Sequence, residues 1–177
     1  MKVYFVRHGE TKFNKAHKIM GQLNEPLDQE GIAQSHHLAE KLDLDFQRLF
    51  CSPLKRALQT AEIIKDRLHL EIEVHPELAE RNFGSFAGKT LQQMDEEAKD
   101  EITKKDNNQT YDYRPYGGEA VEDVRVRVQK FLDFLKEDHA DKKVLVVTHT
   151  GIIRVMYFIS GQKYPDIIND SVHTFEI

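Results

Sequence analysis

Two short apolar runs constrain this chain more than any other feature. Val3-Tyr4-Phe5-Val6 and Val144-Leu145-Val146-Val147 are continuous apolar tetrads, with no alternate polar position left to face water. Runs of this kind fit strands buried on both faces, as in a parallel sheet whose crossovers lay helices on either side. Leu49-Phe50-Cys51 and Ile72-Glu73-Val74 read as weaker strands, and Val172 to Ile177 as an edge strand. Helical spacing fills the intervals. Asp28 caps a helix with Ile32, Leu38, Ala39 and Leu42 on one side. Ser52 stands as the N-cap of a second, with Pro53 at its first position and Leu54, Ala57, Leu58, Ala61, Ile64 and Leu68 following at helical spacing. Val121, Val124, Val128, Phe131, Leu132 and Leu135 trace a third, and Thr150-Gly151 opens a fourth through Ile153, Met156 and Tyr157. Strands alternating with helices predict an α/β fold, a three-layer α/β/α sandwich on a mostly parallel central sheet.

At 177 residues the chain has the size of one compact domain, residues 1–177, able to bury a core unaided. One stretch breaks the rhythm. Asp95 to Asp112 holds seven acids and three bases. Leu91, Met94, Ala98 and Ile102 keep helical spacing, so a small solvated helix is expected there. A loop through Asn107-Asn108 follows it, within a cap-like insertion at about 85–118. The single cysteine rules out an internal disulfide framework and a Cys-based zinc cluster, so a cytoplasmic location is expected. The opening apolar run stops at Arg7-His8, too short for a signal-peptide core, and the longest later run is Val155 to Ile159. No membrane segment is expected. With 25 Lys+Arg against 30 Asp+Glu, the net charge of −5 gives no pull toward nucleic acid.

The candidate chemistry gathers where the predicted strands end. Arg7-His8-Gly9-Glu10-Thr11 follows the first strand, Ser52-Pro53-Leu54-Lys55-Arg56 the second, and Thr148-His149-Thr150-Gly151 the fourth, while Glu80-Arg81-Asn82-Phe83-Gly84 lies past the third. Ligands of open α/β sheets bind outside the carboxyl ends of the strands, so three of these segments are expected to meet. Arginine offers a permanently charged fork matched to phosphate oxygens, and helix starts near Arg56 and His149 add unpaired N–H groups. A neutral imidazole such as His8 can attack phosphorus, and adjacent Arg cations favour that neutral form. Glu80 is the best-placed carboxyl to protonate a leaving group. Phe83, Phe86, Tyr113 and Tyr116 are expected to form an apolar wall for the organic part of a substrate. Glu10 is expected in the first turn of a helix, and Arg154 as a structural ion-pair partner. His36, His37 and Glu40 read as a solvated helix face, and no ligand set for a metal is visible.

These segments resemble the signature of the histidine phosphatase superfamily, the clan of phosphoglycerate mutases and fructose-2,6-bisphosphatases. Arg7-His8-Gly9-Glu10-Thr11 with Asn14 carries the resemblance first. Gly21-Gln22, Pro26-Leu27, Gly31, Ser52 to Ala57, Thr60-Ala61, Glu80 to Gly84, Gly88-Lys89-Thr90, Gly117-Gly118-Glu119 and Thr148 to Arg154 continue it in the family's order. The resemblance implies that His8 becomes phosphorylated and that Arg7, Arg56 and His149 complete the phosphate pocket. It also implies Asn14 as an auxiliary phosphate ligand, Glu80 as general acid/base, Gln22 as a pocket-wall contact, and no metal or other cofactor. Thr150 stands where the family usually has Gly, still offering its backbone N–H. The implied activity is metal-independent hydrolysis of small phosphorylated metabolites, as in the family's bacterial small-metabolite phosphatase branch. Phosphoglycerate mutase, using the same phospho-His8, is the alternative. A phosphoprotein phosphatase and a non-catalytic phosphate-binding module rank lower. Sugar phosphates, α-ribazole phosphate, phosphoglycerate and broad specificity stay open, as does the choice between monomer and homodimer.

Overall fold

The two tetrads become the middle of a five-stranded sheet. The computed structural model describes residues 1–43 and 45–177. Its elements run β1 (Lys2–Arg7), α1 (Lys12–Lys15), α2 (Gln29–Lys41), β2 (Arg48–Cys51), α3 (Lys55–Leu68), β3 (Ile72–Val74), α4 (Glu96–Asp100), α5 (Val121–Asp138), β4 (Val144–Thr148), α6 (Thr150–Ile159) and β5 (Val172–Glu176). The order across the sheet is β3-β2-β4-β1-β5. The first four strands are parallel, and β5 runs antiparallel along β1.

Side chains alternate strictly between the two faces, which explains why the tetrads have no polar position. Val3, Phe5, Phe50, Val144 and Val146 pack under α5 and α6, against Val128, Phe131, Leu135, Ile152 and Met156. Val6, Leu49, Cys51, Leu145 and Val147 pack on the opposite face under α2 and α3, against Leu38, Ala57, Ala61 and Ile64. Each fully buried aliphatic or aromatic side chain here stabilises the fold by roughly 1.5–3 kcal/mol. The three-layer sandwich is therefore the observed architecture. No described helix is long and apolar enough to cross a membrane.

Three local expectations are corrected. The second long helix begins at Lys55 rather than at Pro53, because Ser52 still continues the β2 ladder through its N–H to Val147 O at 3.0 Å. Glu10 lies outside any helix: Thr11 caps the short α1, and the Glu10 N–H goes to Gln34 Oε1 at 3.1 Å. The acidic stretch is not uniformly solvated. Asp95 caps α4, which widens into a π-helical turn over Glu101–Lys105, and Glu101 and Asp106 are buried. Around them Phe83, Phe86, Met94, Ala98, Tyr111 and Tyr113 form a third apolar cluster.

Candidate active site

Strand register brings the two histidines together. β1 and β4 pair as far as Arg7 opposite Thr148, so the next residues, His8 and His149, leave adjacent strands side by side. The His8 N–H donates to Thr148 O at 3.0 Å, and the imidazole centroids are 5.1 Å apart. On the other side of β4, the Ser52 hydroxyl lies 2.7 Å from His149 Nε2. Arg56 follows in the first turn of α3 and is buried, with its Nε donating to His8 Nε2 at 3.1 Å.

The His8 imidazole is held in one tautomer by its surroundings. His8 Nδ1 is 2.7 Å from Gly9 O, which can only accept, so Nδ1 carries the proton and Nε2 presents a lone pair. Burial, and after it the Arg56 and Arg7 cations, hold the His8 imidazole well below its usual range. His149 is lowered likewise, chiefly by burial and next by Arg56. Both rings are neutral bases at neutral pH.

Arg7, His8, Asn14, Arg56, Glu80 and Thr150 all line one cleft of about 160 Å³. His149 supports it from behind His8. Arg7 anchors one guanidinium nitrogen on Ile167 O at 2.6 Å. Arg56 anchors its Nη atoms on Leu23 O and Gly21 O, each at 2.8 Å, and burial lowers its pKa to about 10, still charged at neutral pH. Asn14 Oδ1 accepts from Thr11 N at 3.1 Å, which fixes the amide and turns Nδ2 outward as a donor. Gln22 takes a different place: its Nε2 donates to Glu80 O at 2.9 Å, so it supports the acid's backbone. Of the four aromatics expected as a wall, only Phe83 reaches the cleft. Phe86 and Tyr113 are buried in the apolar cluster, and Tyr116 packs on Phe86 with ring centroids 4.3 Å apart.

Glu80 is presented by a segment whose successive carbonyls are all tied down. Arg127 on α5 donates to Glu77 O at 2.5 Å and Ala79 O at 2.7 Å. Thr148 donates to Leu78 O at 2.8 Å, and Gln22 closes on Glu80 O. The carboxylate itself accepts the Arg81 N–H at 2.8 Å and the Gly151 N–H at 3.1 Å. Gly151 must lack a Cβ, because one there would run into Glu80 Oε1. Reasoning from the sequence missed Arg127, Ser52 and Asn169. Asn169 Nδ2 donates to His8 O at 2.9 Å and braces the loop after β1. Nothing local marked Arg127, which is one of four cations on α5 with Arg125, Lys130 and Lys136.

Comparison with known proteins agrees with this architecture. A family model described as the histidine phosphatase superfamily (branch 1) matches residues 3–168. Phosphoglycerate mutase-like protein 4 of Arabidopsis thaliana is 32% identical over 99% of this chain and 79% of its own length. A metal-independent phosphoserine phosphatase from the same plant is 32% identical over 88% of this chain and 66% of its own. Among solved structures, a mycobacterial glucosyl-3-phosphoglycerate phosphatase complexed with VO3 superposes with a TM-score of 0.86. It is 26% identical and covers 98% of this chain and 91% of that one.

Proposed function

This chain belongs to the histidine phosphatase superfamily, and from that premise we propose that it hydrolyses small phosphomonoesters through a phosphohistidine on His8, without a metal. One observation carries the reading. A neutral, buried imidazole keeps an unprotonated Nε2, met by Arg56 Nε at 3.1 Å, in a cleft that also holds Arg7, Asn14 and the Glu80 carboxyl group. In the first step His8 Nε2 bonds to phosphorus while the ester P–O bond breaks. The leaving oxygen keeps the electron pair and takes a proton from Glu80. Arg7, Arg56 and Asn14 stabilise the charge on the transferring oxygens. So does His149 Nδ1, which is buried and has no protein partner among the described residues. In the second step Glu80 takes a proton from water, the water oxygen bonds to phosphorus, and the P–N bond breaks to release inorganic phosphate.

The phosphatase names among the relatives support hydrolysis, and the mutase-like relative keeps phosphoryl return to a sugar acid as the alternative. Rapid quenching with radiolabelled phosphoester is expected to trap an acid-labile, base-stable phosphoenzyme that His8→Asn abolishes. An active preparation that yields none would refute the covalent scheme. Scoring the same reaction for free phosphate and for isomerised phosphoglycerate separates hydrolase from mutase.

A further inference from the structure

Arg81 follows the acid and borders the same cleft as His8, yet both of its Nη atoms are already taken. Its guanidinium meets the Asp106 carboxylate through both Nη atoms, the Nη2 to Oδ2 distance being 3.1 Å. Arg154 from α6 pairs with the same carboxylate, and Tyr113 Oη stands 3.5 Å from Oδ1. The rings of Phe83 and Tyr111 lie 4.8 Å from the Arg81 guanidinium carbon, so the side chain cannot swing without losing both. Asp106 is itself buried. A two-point Arg–carboxylate pair of this kind occupies the geometry a ligand's carboxylate would need. An incoming carboxylate must displace one that is held within the same molecule, at high effective concentration.

We propose that Asp106 is a specificity-determining residue: by filling the Arg81 fork it denies the cleft a partner for a second anionic group, so esters with an uncharged organic part are preferred. This deepens the hydrolase reading and rests on it. Selectivity then comes from a counter-ion built into the protein, placed to refuse one class of ligand.

Glycerol phosphate and phosphoglycerate test this, since they share a carbon skeleton and differ at one end, hydroxymethyl against carboxylate. The wild-type protein is expected to favour glycerol phosphate in kcat/KM by about tenfold, and a preference for phosphoglycerate overturns the proposal without any variant. Asp106→Asn keeps the size and shape of the side chain and removes its charge. It is expected to raise the phosphoglycerate to glycerol phosphate ratio about tenfold, mainly through KM for phosphoglycerate. Asp106→Glu is expected to restore part of the original preference. A merely structural role would lower both substrates alike, and an unchanged ratio in Asp106→Asn overturns the proposal while the hydrolase reading stands. Release of phosphate from neither ester, by wild-type protein, removes the hydrolase reading and this inference with it.

Discussion

At the scale of single residues, the site depends on which nitrogen of His8 keeps its lone pair and on how Glu80 is held. Gly9 O sets the first and Arg127, Thr148 and Gln22 the second. Glu80→Gln removes the transferable proton and keeps one of the two acceptor contacts, because its amide nitrogen cannot accept from Gly151 or Arg81. Turnover of alkyl phosphates is expected to fall by about a hundredfold or more, and that of nitrophenyl phosphate by less than about tenfold, because nitrophenolate leaves without protonation. Equal losses in steady-state rates would take the acid role away from Glu80. Asp170 is a second informative carboxyl. Burial raises its pKa from 3.8 to about 7, against the lowering influence of the Ser35 hydroxyl and Arg7. The unfolded chain gives up that proton near pH 3.8 while the folded protein keeps it until about 7, so stability falls as pH rises through that window. Asn holds no such proton. Asp170→Asn is therefore expected to stabilise the protein more at about pH 8 than at about pH 4, read as the difference in denaturant midpoints at the two values.

At the scale of elements, one side chain on α5 connects the far face of the sandwich to the acid. Arg127 also makes a two-point pair with Glu119, at 2.9 and 3.2 Å, and Glu119 Oε2 accepts from Asn82 N at 2.6 Å. The segment from Glu77 to Asn82 is thus clamped at both ends by one ion pair. Arg127→Met is expected to lower kcat by about ten- to a hundredfold while KM shifts by less than about threefold, since substrate contacts survive and only the acid's position loosens. A raised KM at unchanged kcat would remove the positioning role. The fold's elements were legible in the sequence because periodicity reports burial directly: Val144 to Val147 has one reading, and so does the Val121 to Leu135 stripe. His8, Arg56 and His149 were legible because they sit at strand ends and helix starts, positions that local patterns mark. Arg127 and Asp106 were not, because a charged residue on a helix has the same appearance whether it faces water or a partner far away in sequence. Asp106 was read with its neighbours as solvated, and only the packing of Tyr111 and Tyr113 turns it inward.

At the scale of the whole molecule, most of the negative surplus lies away from the cleft's cations, Asp106 on Arg81 being the exception. Part of the insertion's charge is neutralised in exposed pairs such as Lys99 with Glu96 and Lys104 with Asp100, while the cleft draws on Arg7 and Arg56. The cleft's positive charge comes from arginine and backbone dipoles, which need no exchangeable ion. Activity is therefore expected to persist after exhaustive chelation and dialysis, and loss with EDTA that a divalent ion restores would refute metal independence.

The sheet order carries one more consequence. Among the described residues β1 pairs with β4 and β5, both far from it in sequence, so the strand that leads into His8 has no local hydrogen-bonded neighbour. Such long-range closure costs chain entropy that local helices cannot supply, which makes it a late event in folding. A chain lacking β4 and β5 carries His8 without His149 and the backbone partners of β1, and is expected to show no phosphoesterase activity.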